Sequence, residues 1–424
     1  MTNNHPFVFI ISNSFNDKDW HYGNEFASLI VTAGYEPIGA LRQSVETPNA
    51  ATYVGSGFLA KVKEYLELIP QKWPEVKDLV VATDFDLTGT QRANIKNILG
   101  VEVIDRTFVI LKIFENNAHS KEAKLQVDIA TLYWSKNHLI NKEGAYSQVT
   151  SGGGMHNKGS GEKQISLDRR HINTLIDAKK KELTKIKIAR KNSRTKRNNS
   201  GLYKIAIVGY TNSGKSTLLN SLVAFSNGEK FVLTKDQQFA TLETSTREIS
   251  KFGYLKFLAT DTVGFIRDLP TTLVDAFRST LEEINEADLL VHVVDISSET
   301  YQEEIKTTNE VLEEIGVKDI PSIYLFNKYD LLDKSLSSLL KDNEMYCSLI
   351  DGEDIESVYR FICSSLSQGW KKCDIEFPFD KDFNQFSNDN YITSFYKNKN
   401  GYQCTVYLNP RTEHKYSYLL DKNS

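Results

Sequence analysis

The sequence predicts an α/β protein of several domains, and three observations carry that prediction. The chain has 424 residues, more than a single hydrophobic core usually serves. Short apolar runs alternate with stretches of helical periodicity in two regions, one ending near residue 115 and one running from Gly201 to about Ser367. The glycine-rich GYTNSGKS, Gly209 to Ser216, stands between the apolar run Ile205 to Val208 and the helix-forming STLLNSLV, which is the strand, loop and helix context of a phosphate-binding loop.

Composition narrows the class. Apolar residues make up 40% and charged residues 25%, and 51 basic against 55 acidic side chains leave a net charge of −4, so the chain is neither disordered throughout nor a uniformly basic nucleic-acid coat. No apolar stretch reaches the roughly 18 residues of a bilayer span; the longest, such as Leu289 to Val294, are strand-sized. The N-terminal MTNNHPFVFIISNSF has no basic leader, and its apolar part, Phe7 to Ile11, is too short for a signal core. It reads as a first strand. Cys347, Cys363, Cys373 and Cys404 show no CxxC spacing, which fits reduced thiols and a cytoplasmic protein.

Along the chain, residues 1–118 read as a small α/β subdomain. Val8 to Ile11, Leu79 to Ala82 and Phe108 to Ile113 are expected as strands, and the segments around Asn24 to Thr32 and Gln91 to Leu99 as helices. Residues 119–200 read as a long antiparallel helical hairpin. Leu125, Ile129, Leu132 and Leu139 set the rhythm of one helix between Ser120 and Ile140, about 30 Å long, and Ile172, Ile176, Leu183 and Ile186 set that of the other. Between them SGGGMHNKGSGEKQ, residues 151–164, contains five glycines and is expected to interrupt both helices as a flexible tip. Residues 179–197 then hold ten Lys or Arg and one Glu, a local charge of +9, so the rest of the chain sums to −13. Such a run is either a solvated helix face and linker or an arm that contacts phosphates, and the polarised charge favours the arm. Residues 201–368 form the nucleotide domain, and residues 369–424 a small α+β C-terminal domain. Its strands are expected at Cys373 to Phe377 and Gln403 to Leu408, around the turn-forming Asn398, Lys399, Asn400 and Gly401.

The chemistry sits in the third region. In Gly209, Tyr210, Thr211, Asn212, Ser213, Gly214, Lys215 and Ser216, glycines let backbone N–H groups converge on phosphate oxygens. Lys215 reaches the terminal phosphates, and Ser216 can ligate magnesium. NKYD, Asn327, Lys328, Tyr329 and Asp330, follows the apolar run Ile323 to Phe326. There Asp330 can accept the N1–H and N2–H of guanine, which adenine lacks, so the pair of motifs selects GTP over ATP. DTVG, Asp261, Thr262, Val263 and Gly264, follows the run Leu255 to Ala259 and precedes a region expected to be helical. Asp261 suits magnesium through water, and the Gly264 N–H suits a γ-phosphate. In the FATLETSTR stretch, Phe239, Ala240, Thr241, Leu242 and Glu243 precede DTVG, with Thr241 expected to complete magnesium. Ser348, Leu349 and Ile350, after the run Met345 to Cys347, are expected to touch the base through backbone groups.

The combination of GYTNSGKS, FATLE, DTVGFIRDLP and NKYD, with DRTFVILKIF, EAKLQV and GSGEKQISLDRR upstream, resembles the HflX family of ribosome-associated P-loop GTPases over about residues 20 to 370. The resemblance implies a P-loop GTPase domain behind the N-terminal α/β subdomain and hairpin, with the small C-terminal domain after it. It implies GTP and GDP as ligands and Mg2+ held by Ser216 and Thr241. It also implies binding to the large ribosomal subunit and ribosomal RNA, with the hairpin tip toward the peptidyl-transferase region, and splitting or rescue of stalled ribosomes by a monomer. Lys215, Thr241 and Gly264 would then be the catalytic positions. Two departures stand out. The family's tip reads closer to GPGETQLETDRR, where this chain has Ser160, Lys163, Ser166 and Leu167, and the base loop usually has a small residue in the place of Leu349. Many GTPases place a water-orienting Gln directly after the DxxG glycine; here that residue is Phe265, so intrinsic hydrolysis is expected to be slow and activation to come in trans. The alternative reading is a GTP-regulated binding module for another RNA or protein partner. A phosphotransferase is disfavoured because it has no use for NKxD.

Overall fold

The computed structural model describes residues 6–13, 25–74, 76, 78–139, 158–198, 201–228, 244–267, 269, 273, 284–332, 341–350 and 352–420. The chain divides into two compact units, Met1–Ile186 with Leu269–Ala276, and Lys187–Asp268 with Phe277–Ser424.

The first unit opens with β1 (Phe7–Ser12), α1 (Glu25–Thr32), β2 (Glu36–Arg42), α2 (Ser56–Lys72), β3 (Leu79–Thr83), α3 (Gly89–Leu99) and β4 (Glu102–Ile104). The strands form one parallel sheet in the order β2-β1-β3-β4. β1 is buried on both faces, as a parallel strand covered by helices must be, and Phe9, Ile11, Val62, Val81, Ile95 and Val103 share one core. α3 starts on a reciprocal cap: the Thr88 hydroxyl accepts the Gln91 N–H at 3.2 Å, and the Gln91 side chain accepts the Thr88 N–H at 2.9 Å.

The expectation of a strand at Phe108 to Ile113 is wrong: these residues lie in α4 (Arg106–Asn117). Val109, Ile110, Leu111, Ile113 and Phe114 are all buried, and a helix enclosed on every side has the same unbroken apolar run as a buried strand. The distinguishing signal is Asp105, whose carboxylate accepts the Phe108 N–H at 2.8 Å as an N-cap.

α5 (Lys121–Asn137) begins at Ser120, whose hydroxyl accepts the Ala123 N–H. α6 (Lys158–Asn198) is 41 residues long. Leu125 and Ile129 of α5 pack with Ile176 and Leu183 of α6, joined by Leu132, Ile172 and Ile186. Ion pairs Lys121–Glu182 at 2.5 Å and Lys179–Asp128 at 2.6 Å flank this seam, and the Lys180 ammonium donates to the Tyr133 hydroxyl at 2.7 Å. Because α6 starts at Lys158, residues 158–164 are helical, against the expected interruption; Gly159 and Gly161 each cost about 1 kcal/mol relative to Ala, and a long cooperative helix absorbs that. The remaining expected tip, 151–157, lies outside the described residues. The basic run 179–197 is helical throughout rather than part linker.

In the second unit, β5 (Tyr203–Val208), α7 (Lys215–Asn227), β6 (Ser245–Ile249), β7 (Phe257–Asp261), β8 (Leu289–Asp295), α8 (Tyr301–Glu314), β9 (Ser322–Asn327), β10 (Glu344–Tyr346) and α9 (Ile355–Leu366) build a six-stranded sheet in the order β10-β9-β8-β5-β7-β6. Only the edge strand β6 is antiparallel among these pairs. The segment after DTVG, expected to be helical, falls largely outside the described residues. β11 (Lys371–Pro378), α10 (Phe383–Asp389), β12 (Tyr391–Lys397) and β13 (Gly401–Leu408) follow, with an antiparallel sheet β11-β13-β12 around Ile375, Phe377, Phe386 and Val406. Gly401 is required by close approach, since a Cβ there would lie 2.1 Å from the Phe377 carbonyl oxygen.

His138 ties the end of α5 to the first sheet. Its Nδ1 lies 2.7 Å from the Trp134 carbonyl, and its Nε2 lies 2.8 Å from the Leu87 carbonyl and 3.1 Å from the buried Asp105 carboxylate. Carbonyls only accept, so both ring nitrogens are satisfied together only in the imidazolium form. Burial alone would lower the His138 pKa, but the bonds from Asp105, Trp134 and Leu87 outweigh it and hold the pKa above its ordinary value. A raised folded-state pKa contributes stability that is complete below about pH 6.5 and is lost as pH rises through the raised value. His138→Gln should therefore lower the urea midpoint more at pH 6 than at pH 9. Equal losses at both pH values would show that the ring is held neutral.

Candidate nucleotide site

β5 delivers the chain to Gly209, and α7 begins at Lys215. The loop between them needs left-handed backbone: φ is +145° at Gly209, +61° at Asn212 and +105° at Gly214. Asn tolerates that region better than most side chains. Space explains the glycines further, because a Cβ at Gly209 would lie 2.2 Å from the Val293 carbonyl oxygen and one at Gly214 2.2 Å from Asn327 Nδ2. The first N–H groups of a helix have no intrahelical acceptors, so the start of α7 presents donors and the positive end of its dipole to the loop.

Lys215 is buried, and its ammonium donates to the Tyr210 carbonyl at 2.5 Å. Burial pulls its pKa down to about 8, opposed by the nearby Asp261 carboxylate. An incoming anion would offset that cost by favouring the charged ammonium. His292 in β8 is buried too; desolvation and then the Lys215 charge push its pKa down to about 3, so it stays neutral beneath the loop. The Ser216 hydroxyl donates to Asp261 Oδ2 at 2.7 Å. Among the described residues, the buried Thr211 Oγ1, Ser213 Oγ and Ser348 Oγ make no hydrogen bond to protein. Thr211 Oγ1 and Ser213 Oγ, polar atoms of this kind on a glycine-shaped cradle, fit a phosphate ligand.

Asp261 closes β7, slightly beyond the expected run, and its neighbour Thr262 is fixed by a hydroxyl bond to the Ile207 carbonyl at 2.7 Å. Val263 is buried, and Gly264 is in such close quarters that a Cβ would lie 3.0 Å from Lys215 Nζ. Asn327 closes β9; its Nδ2 donates to the Ser213 carbonyl at 2.9 Å, and its Oδ1 accepts the Leu349 N–H at 3.2 Å. Lys328 has φ +63° and pairs with Asp295 at 2.7 Å, while Tyr329 stacks on Tyr346 with ring centroids 4.8 Å apart. Asp330 is exposed, so the penalty for a mismatched base arises only once a base covers it. Ser348 donates its N–H to Asp354 at 2.8 Å, Leu349 turns its side chain into the core, and Ile350 is exposed.

The structure thus brings together Gly209 to Ser216, Asp261 to Gly264, Asn327 to Asp330 and Ser348 to Ile350 around the C-terminal ends of parallel strands, where open α/β sheets hold ligands. Phe239, Ala240, Thr241, Leu242 and Glu243 lie outside the described residues. Sequence reasoning missed Asp354, Asp295 and His292 as supports. Only His292 carried a signal, as a histidine within the otherwise apolar LLVHVV. Ser216 and Asp261, a hydroxyl and a carboxylate in contact, are hard oxygen donors of the kind that suit magnesium.

Comparison with known proteins agrees with this geometry. Residues 204–328 match the family described as a 50S ribosome-binding GTPase, residues 21–115 the N-terminal part of a GTP-binding GTPase, and residues 117–197 its middle region. The GTPase HflX of Caldanaerobacter subterraneus is 39% identical over 84% of this chain and 80% of its own. That of Escherichia coli is 34% identical over 83% of this chain and 80% of its own. A solved GTP-binding protein from the archaeon Sulfolobus solfataricus in complex with GDP is 24% identical, covering 86% of this chain and 99% of that one at a TM-score of 0.44. With 34% and 39% identity to those two GTPases running through most of the chain, and with the P-loop, DTVG and NKYD assembled in one place, the chain belongs to the HflX family of GTPases.

Proposed function

We propose that this GTPase associates with the large ribosomal subunit and its RNA, and that it splits or rescues stalled ribosomes as a monomer. The match of residues 204–328 to 50S ribosome-binding GTPases carries this reading, and the net charge of +9 on residues 179–197 supports it. In this reading residues 1–118 and 119–200 form the N-terminal subdomain and a helical hairpin, residues 201–368 the GTPase domain, and residues 369–424 the C-terminal domain. The ion pair that occupies Lys179 and the bond that occupies Lys180 leave Lys181 and Lys185, both exposed, as the better phosphate contacts on this stretch of α6.

At the nucleotide, Gly209 to Ser216 cradle the phosphates, Lys215 and the Gly264 N–H meet the terminal phosphate, and Asp330 with Ser348 to Ile350 reads the guanine. Ser216 would hold Mg2+, with Thr241 completing its shell and Asp261 behind it. The ion would neutralise charge on the phosphates. Phe265 follows Gly264 and is 1% exposed; an apolar buried ring cannot orient the attacking water, so a group supplied by the ribosome does so, through positioning and electrostatics.

Three outcomes are expected. Asp330→Asn should lower GTP affinity on the order of a hundredfold or more and favour xanthine nucleotides, because the amide pairs with the exchanged donor and acceptor of that base; unchanged GTP affinity would remove Asp330 from the base site. GTP turnover by the isolated protein should be slow and rise by roughly a hundredfold or more with large ribosomal subunits. Lys181→Gln with Lys185→Gln should weaken subunit binding and flatten its salt dependence by about two charges, with GTP affinity unchanged. A fast intrinsic rate that subunits leave unaltered, or a salt slope indifferent to the two lysines, would favour a different partner.

A further inference from the structure

Three phenylalanines of the second unit, all away from the nucleotide site, are left open to water. Phe252 in the turn between β6 and β7 is 54% exposed, Phe395 in β12 is 41% exposed, and Phe379 directly after β11 is 43% exposed. Scattered over a surface, such residues need no explanation, but a contiguous set of them marks a binding surface.

These three are contiguous. Ring centroids run from Phe252 to Phe395 at 6.2 Å, from Phe395 to Tyr402 at 6.2 Å and from Tyr402 to Phe379 at 5.2 Å. The interplanar angles along this line are 75°, 70° and 81°, so the rings meet edge to face. Among the described residues no ring lies flat on Phe252, Phe395 or Phe379. The flat pair is underneath: Phe383, which is buried, stacks on Tyr402 at 4.2 Å and 19°. The strip therefore offers open ring faces on a packed aromatic base.

Cations stand along the same strip. Lys397 Nζ lies 5.0 Å from the centre of the Phe379 ring, and Lys381 and Lys399 are exposed in the adjoining turns. Of the carboxylates beside Phe379, Asp380 is exposed, and Asp382 caps α10 by accepting the Gln385 N–H at 3.0 Å. An apolar helix would cover the rings and leave the ammonium groups without a counter-charge. A polynucleotide supplies both partners, a flat base for each ring and a phosphate for each lysine. Bases in a duplex are already stacked and paired, so only an unpaired strand can lay them on these faces.

We propose that Phe252, Phe395 and Phe379 form a stacking strip for unpaired bases of single-stranded RNA, with Lys397, Lys381 and Lys399 on its phosphates. This is a second nucleic-acid contact, separate from α6. The choice of RNA rests on the reading of the chain as a ribosome-associated factor; the strip itself does not.

The test titrates full-length protein into a fluorescent single-stranded RNA of about ten nucleotides, at roughly 0.3 M salt, where contacts made by charge alone are weakened. Phe252→Ala and Phe395→Ala should each lower affinity about tenfold, the range of one lost base stack, while Phe395→Tyr, which keeps a ring, stays within about threefold of wild type. Lys397→Gln with Lys399→Gln should flatten the salt dependence. GTP affinity should be unchanged in every variant, which also reports that the nucleotide domain is folded. Crosslinking of the unmodified protein to RNA carrying 4-thiouridine, mapped by mass spectrometry, should mark the peptides that hold Phe252 and Phe395. No binding of the single strand, unaltered RNA affinity in the two alanine variants, or crosslinks confined to α6 would overturn the strip. Alanine variants that bind RNA like wild type yet associate less with large ribosomal subunits would assign the strip to a protein partner and likewise overturn the proposal. If the strip binds RNA as expected but the protein does not bind large subunits, the ribosome reading fails and the strip stands.

Discussion

One buried amide holds the candidate site together. Asn327 sits at the end of β9 and is 4% exposed, donating to Ser213 in the phosphate loop and accepting from Leu349 in the base loop. Three loops that follow β5, β9 and β10 are thereby fixed to one side chain. Each bond satisfies a backbone group that would cost roughly 1–3 kcal/mol if buried without a partner. The neighbouring glycine follows from the same constraint, because any side chain at Gly214 would strike Asn327 Nδ2. Lys215, Ser216 and the start of α7 owe their positions to that turn, so the motif's glycine and the distant asparagine specify each other.

The β6 and β7 strands connect this site to the C-terminal part of the same unit. β7 ends at Asp261, paired with Ile207 of β5, while the turn between β6 and β7 rests on α10 and the residues after it. The Lys256 N–H donates to the Asn388 carbonyl at 2.9 Å, Gly253 donates to the Ser387 hydroxyl, and the Phe252 ring lies 5.7 Å from that of Phe383. Tyr391 at the start of β12 packs into the core of the nucleotide domain, and Trp370 lies 5.2 Å from Tyr203 of β5. The ribbon that carries Asp261 is therefore anchored at both ends, by the central sheet and by the C-terminal segment.

The nucleotide motifs were legible in the sequence because their requirements are local: a left-handed glycine, a lysine at fixed spacing and an apolar strand before each loop all appear within a few residues. The parallel sheet of the second unit followed from the same alternation. Phe108 to Ile113 was misread because a helix buried all round has no apolar stripe, and β2 was missed because EPIGALR carries a proline and a glycine with little alternation. Gly159 and Gly161 were given too much weight against a helix whose other residues favour it. The supports of the site were hidden for a different reason. Asp354 beneath Ser348, Asp295 against Lys328 and Tyr210 against Arg267 are pairings that only tertiary structure creates, and no spacing rule announces them.

The dependence of all three loops on Asn327 is most directly tested by equilibrium titration of Asn327→Ala with GDP. The variant should keep a folded nucleotide domain yet lose GDP affinity on the order of a hundredfold or more, since removing the amide frees Ser213 and Leu349 together. GDP affinity within about twofold of wild type would contradict a site held together by that side chain.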